Sequence, residues 1–75
     1  MDFRTAANIL GQQITTAEMA EALGMSSHSI RQARLQEGAP GYRKPPEGWQ
    51  RAFLSLAKER CSELTTLINE LERTS

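Results

Sequence analysis

The feature that most constrains the fold of this chain is the segment ITTAEMAEALGMSSHSIRQARL, which spans residues 14–35. A threonine–glutamate capping box at Thr15 and Glu18 predicts the start of one helix, TAEMAEAL, and Gly24 predicts its end. Ser26 can cap a second helix, SHSIRQARLQ, which begins directly after the turn and gives out near the next glycine. The sequence therefore predicts two short helices joined by a tight turn.

The spacing within this segment is typical of a helix-turn-helix. A small residue, Ala20, stands where the second helix must cross closely, and Gly24 follows where the turn needs a left-handed backbone. Several independent requirements of the motif are therefore met at the right offsets. The apolar residues that would join the two helices are Leu23, Met25, Ile30 and Ala33.

The sequence TAEMAEALGMSSHSIRQ resembles the helix-turn-helix of phage repressor and Cro proteins. The resemblance implies that SSHSIRQARL is a recognition helix that lies in the major groove of DNA. A bundle of three helices could also carry the alanine–glycine spacing by chance, or use the motif to contact protein, and this alternative stays open.

Helical geometry divides the recognition helix into a buried side and an outward side. At about 100° per residue, Ile30 and Ala33 define the buried side, and hydrogen-bonding side chains lie opposite. Arginine can read guanine and glutamine can read adenine, and the start of the preceding helix could hold a phosphate. The alternatives are a solvated His28 and a Thr16 that only caps its helix. The predicted DNA-binding residues in this segment are Thr16, Ser26, Ser27, His28, Arg31, Gln32 and Arg34.

Residues 38–46 form a loop rich in glycine and proline. From Arg31 to Lys44, four basic residues oppose Glu37 alone, which gives a local net charge of +3 in a chain whose formal net charge is zero. The Gly-Tyr-Arg sequence, two nearby prolines and the following helix are similar to small regulators encoded beside anti-CRISPR genes in phages, which repress their own operon as dimers. This similarity implies that Arg43 and Lys44 grip DNA phosphates; the alternative is a solvated loop.

A long helix is predicted over 47–73, because Pro46 suits the first turn of a helix and the segment that follows Gly48, WQRAFLSLAKERCSELTTLINELER, contains neither glycine nor proline. Trp49, Phe53 and Leu56 are expected to seal the core of their own chain. Beyond them an apolar stripe continues at coiled-coil spacing and needs another surface. The alternative is that Arg60 extends to solvent and the helix folds back wholly on its own chain. The residues predicted to form a dimer interface are Ala57, Arg60, Leu64, Leu67, Ile68 and Leu71.

A chain of 75 residues is only marginally stable on its own and usually needs disulfides, a metal site or self-association. The composition of this chain leaves self-association. One cysteine, Cys61, excludes an internal disulfide, and one histidine argues against an internal zinc site. We expect no metal, no cofactor and no enzyme activity, because we find no acid–base pair, nucleophile arrangement or glycine-rich phosphate loop. No stretch is long and apolar enough to span a membrane and no signal sequence is present, so we expect a cytoplasmic protein.

Together these patterns predict one all-α domain. A helix-turn-helix core of three short helices over 1–37, the first being FRTAANIL capped by Asp2, precedes a basic loop over 38–46 and a C-terminal dimerisation helix over 47–73. The expected function is sequence-specific transcription regulation by a homodimeric repressor of phage or mobile-element type, bound to a palindromic operator in double-stranded DNA. The alternatives are an activator that contacts RNA polymerase, and a protein-interaction module such as an antitoxin.

Overall fold

A computed structural model describes residues 1–74, which fold into four α-helices. α1 spans Phe3–Leu10, α2 spans Thr16–Leu23, α3 spans Ser27–Ala33 and α4 spans Trp49–Thr74. No β-strand occurs among the described residues. The predicted all-α fold, with three short helices and a long C-terminal helix that packs on them, is confirmed.

Side-chain caps fix where the three short helices begin. The Asp2 carboxylate accepts a backbone N–H bond from the first turn of α1 at 2.8 Å. Ser26 Oγ accepts from the Ser29 amide at 3.1 Å. At the start of α2 both halves of the capping box form, between Thr15 Oγ1 and the Glu18 amide and between Glu18 Oε1 and the Thr15 amide. Each cap satisfies a backbone donor that has no partner within the helix, so local sequence sets these starts.

The core lies where the three short helices meet the first half of α4. The rings of Phe3, Trp49 and Phe53 pack with centroids 5.2 to 5.5 Å apart and fasten α4 to α1. Met19 and Ile30 are the largest side chains that are completely buried. Trp49 and Leu56 are half-buried against this core, as predicted. The buried apolar residues are Phe3, Ala7, Ile14, Met19, Ala20, Ile30, Ala33 and Phe53.

Two helix boundaries differ from those that the sequence predicts. α3 ends at Ala33, short of Gly38, because the chain there enters a series of tight turns with hydrogen bonds between residues three apart. α4 begins at Trp49 rather than at 47. Gly48, directly before it, has a φ of 81°, a left-handed conformation that a right-handed helix cannot include.

α4 is longer than the body on which it packs. Its 26 residues extend about 39 Å, and every described residue from Cys61 onward is exposed. The described part of the chain measures 52 × 21 × 18 Å. Neither α4 nor any other described helix is long and apolar enough to cross a membrane. The second half of α4 therefore projects from the body, as its length predicts.

The turn between α2 and α3 depends on the backbone of Gly24. Its φ of 65° and ψ of 33° are left-handed, and an added Cβ would meet nothing within 4 Å. Gly24→Ala should therefore lower the free energy of unfolding by about 1–2 kcal/mol through backbone strain alone. Gly24→Asn should cost less, because asparagine tolerates this conformation. Urea denaturation measures both variants, and an unchanged stability of Gly24→Ala would contradict the left-handed turn.

Candidate nucleic-acid interface

α3 has the buried side and the outward side that its sequence predicts. Ile30 and Ala33 are buried, whereas His28 and Arg31 are exposed. Gln32 is half-buried. The outward side therefore presents an imidazole and a guanidinium, both of which can donate hydrogen bonds to the acceptors that DNA displays in its major groove.

The joint between α2 and α3 is apolar and closed by backbone hydrogen bonds. The Met25 amide donates to the Ala20 carbonyl at 2.9 Å, and the Gly24 amide donates to the Glu21 carbonyl at 3.3 Å. This pair of bonds is a Schellman motif, which satisfies carbonyls at the end of α2. Leu23 and Met25 pack against the core, so the residues predicted to join the two helices do so.

Ser29 connects α3 to the basic loop. Its side chain is only 9% exposed, and its Oγ accepts a hydrogen bond from Arg43 Nη1 at 3.1 Å. Ser26 Oγ donates to the same oxygen at 3.0 Å. The Arg43 amide also donates to the Gln32 carbonyl at 3.3 Å. Arg43 is therefore held against α3 through both its side chain and its backbone.

The loop between α3 and α4 is itself folded by turns. The Ala39 amide donates to the Gln36 carbonyl at 2.9 Å, and the Tyr42 amide donates to the Ala39 carbonyl at 3.1 Å. Lys44 follows Arg43 and is exposed. Both cations predicted to grip phosphates thus lie on a segment that hydrogen bonds tie to α3.

The other predicted DNA-binding residues occupy the ends of helices. Thr16 and Ser27 are the first residues of α2 and α3, and both are half-buried. Ser26 is the cap of α3 and uses its hydroxyl within the chain. Arg34 Nη2 donates to Asn8 Oδ1 at 2.8 Å and so ties the end of α3 to α1. Arg34 therefore has a structural role that sequence reasoning missed, and its contact with DNA stays a prediction.

Arg60 is bound within its own chain. Its Nη1 donates to the Gln13 carbonyl at 2.6 Å, and its Nη2 lies 3.1 Å from Glu18 Oε2. A weaker ion pair joins its Nε to Glu63 Oε2 at 3.6 Å. The glutamate of the capping box thus also fastens α4 to α2. No sequence pattern indicated this contact, and a role for Arg60 in a dimer stays a prediction.

An apolar groove, which the sequence did not predict, lies between α1 and α4. It consists of two adjoining hollows of about 440 and 390 Å³, which share Ile9, Leu10 and Ala57 as walls. Ile9 is 54% exposed and Leu54 is 53% exposed. The apolar face of α4 runs along the second hollow, where Leu64 and Ile68 are walls, and continues past it. Four apolar side chains on this distal half are 44% to 58% exposed: Leu64, Leu67, Ile68 and Leu71.

Comparisons of the chain with protein-family models, with curated proteins and with solved structures found no match. Among residues 1–74 no group of three or more histidine, cysteine, aspartate or glutamate side chains could hold a metal ion. The exposed cations of α3 and its loop and the apolar face of α4 are two distinct features of the described surface.

The contacts of Arg60 predict a measurable share of the stability. Arg60→Met keeps the apolar stem but removes the hydrogen bonds to Gln13 and Glu18, so we expect the free energy of unfolding to fall by about 1–2 kcal/mol. Arg73→Met is a matched control. Arg73 forms an exposed ion pair with Glu70 one turn away, so its loss should change stability by less than about 0.5 kcal/mol. Equal effects of the two substitutions in urea denaturation would contradict an anchoring role for Arg60.

Proposed function

We propose that this protein is a sequence-specific DNA-binding transcription regulator of the helix-turn-helix type. In this proposal α3 enters the major groove and directs Arg31 and His28 toward base edges. One observation supports it most: the Arg43–Ser29 hydrogen bond holds the basic loop against α3, so the loop cations lie beside the proposed recognition helix.

The basic residues of this surface have different tasks in the proposal. Arg31 is exposed on α3 and can pair with guanine O6 and N7 in a bidentate manner. Arg43 and Lys44 would contact phosphates, which position a protein on DNA without reading its sequence. Because Arg43 is already hydrogen-bonded to α3, less conformational freedom is lost when it meets a phosphate. A formal net charge of zero does not oppose DNA binding, because the segment from Arg31 to Lys44 has a local net charge of +3.

The proposal includes a homodimer. Four large apolar side chains on the projecting half of α4 are about half exposed, and a contiguous apolar patch on a small protein marks an association surface. A two-fold axis would set two copies of α3 about 34 Å apart, or a multiple of this, on a palindromic operator. Such a dimer would repress transcription by excluding polymerase from a promoter that overlaps the operator, which requires nothing beyond DNA binding.

The first test of this function concerns readout of sequence. Selection of bound fragments from random DNA would define the operator. Arg31→Ala should then weaken specific binding by about 1–3 kcal/mol and relax preference at one base pair of each half-site. Arg73→Ala removes the same charge from the far end of α4 and should bind like wild type. If Arg31→Ala and Gln32→Ala both bind the operator as tightly as wild type, with unchanged circular dichroism, α3 is not the recognition helix.

The second test concerns phosphate contacts. Arg43→Ala and Lys44→Ala should weaken binding to operator and to random DNA alike, and each should reduce the slope of log K against log[salt] by about one. Ser29→Ala is the control, because it releases the Arg43 guanidinium without removing its charge. Its affinity should fall modestly while the salt slope stays at the wild-type value. Absence of any DNA binding at low salt would overturn the proposed function and favour a protein-interaction module.

A further inference from the structure

We propose that α4 pairs with α4 of a second copy in antiparallel orientation. The distal half of each helix, residues 61–74, would lie along the partner's proximal half, residues 49–60, in the groove beside α1. This inference specifies the homodimer of the proposed function and rests on that self-association, but it does not depend on DNA binding.

The first observation is a single apolar stripe that runs along most of α4. At about 100° per residue, its members fall within a sector of about 100° and extend over about 26 Å. Its members from Leu54 to Ile68 line the groove between α1 and α4, and its last member, the 58% exposed Leu71, lies beyond the groove. A long apolar groove and an exposed apolar end on the same helix face suit a partner that is a second copy of the chain. The members of the stripe are Leu54, Ala57, Cys61, Leu64, Ile68 and Leu71.

The second observation is the charge beside the stripe, which favours one orientation. At about 100° per residue, Lys58 on the proximal half and Glu72 on the distal half lie at the same edge of the stripe. Antiparallel pairing brings Lys58 of one copy toward Glu72 of the other, and parallel pairing leaves them about 21 Å apart along the helix axis. The attraction between these opposite charges therefore favours the antiparallel arrangement.

The third observation is the fit of side-chain sizes. A two-fold axis midway between Leu54 and Leu71 brings Leu71 to the partner's Leu54 and Ile68 to the partner's Ala57. Ala57 is a wall of both hollows, and its small side chain leaves room there for a branched one. The same arrangement covers Ile9 of α1, which is otherwise 54% exposed. In a parallel pair each residue would instead face its own copy, so two Ala57 side chains would meet and two Ile68 side chains would meet.

Disulfide cross-linking tests the orientation directly. In a Cys61→Ser background, Leu54→Cys is placed on one chain and Leu71→Cys on a second chain that carries a size tag, and the mixture is oxidised mildly. The antiparallel pair predicts the mixed disulfide. It predicts no cross-link for Leu71→Cys alone, because the two copies of position 71 would lie about 25 Å apart, far beyond disulfide reach. Self-cross-linking of Leu71→Cys without the mixed product would overturn the antiparallel pairing while leaving the dimer.

A charge exchange provides a second measurement that does not depend on cysteines. Lys58→Glu and Glu72→Lys should each raise the dimer dissociation constant about threefold or more, and the double variant should return toward wild type. In a parallel pair, positions 58 and 72 lie about 21 Å apart, so the two effects would add. Glu70→Lys, which makes the same change on the side of α4 away from the stripe, is the control and should leave the constant unchanged.

Sedimentation equilibrium provides these constants and separates the two proposals. A wild-type chain that stays monomeric well above micromolar concentration would overturn the pairing and the proposed dimer together. DNA binding is measured independently, by the Arg31→Ala comparison, and its presence in a monomer would leave the helix-turn-helix proposal in place. If the chain cross-links as predicted but does not bind DNA, the antiparallel pairing stays in place and the proposed function is wrong.

Discussion

The packing of Trp49 and Phe53 against Phe3 sets the position of α4. The groove beside α1 and the loop that precedes α4 both depend on that position. The three rings lie within 5.5 Å of one another and join the beginning of α4 to the beginning of α1. Arg60 adds a second attachment three turns further on, to the start of α2. Because two attachments fix the direction of a helix, they determine the groove beside α1 and the course of the projecting half.

The loop before α4 is constrained by the same arrangement. One end leaves α3, the other enters α4 beside the aromatic cluster, and hydrogen bonds fasten the segment between them to α3. Arg43 is held there by Ser29 and by the Gln32 carbonyl. The basic surface proposed for DNA binding is therefore a product of the tertiary structure, although each of its cations is visible in the sequence.

The two surfaces of the described chain have different chemistry and would act together. The face of α3 with its loop is polar and basic, as contact with DNA requires, and the face of α4 is apolar, as self-association requires. In the proposed dimer, the pairing of α4 would hold two α3 helices on one operator, and occupation of the operator would in turn stabilise the dimer by mass action. A change in α4 would then alter DNA affinity without touching a residue that faces DNA.

The sequence by itself determined the elements whose causes are local. Asp2, Thr15 and Ser26 begin the short helices because each satisfies an amide within its own first turn, and Gly24 ends α2 because the turn needs a left-handed backbone. The spacing of Ile30 and its neighbours likewise predicted which side of α3 is buried. The outward exposure of the candidate DNA-reading residues could therefore be predicted in part.

Only the tertiary structure decided the contacts between distant residues. Arg34 bonds to Asn8 across 26 positions, and Arg60 bonds to Glu18 across 42. Such pairs depend on the angles at which helices cross, which local propensity does not encode. The groove beside α1 arises in the same way, from the packing of two helices that lie far apart in the chain.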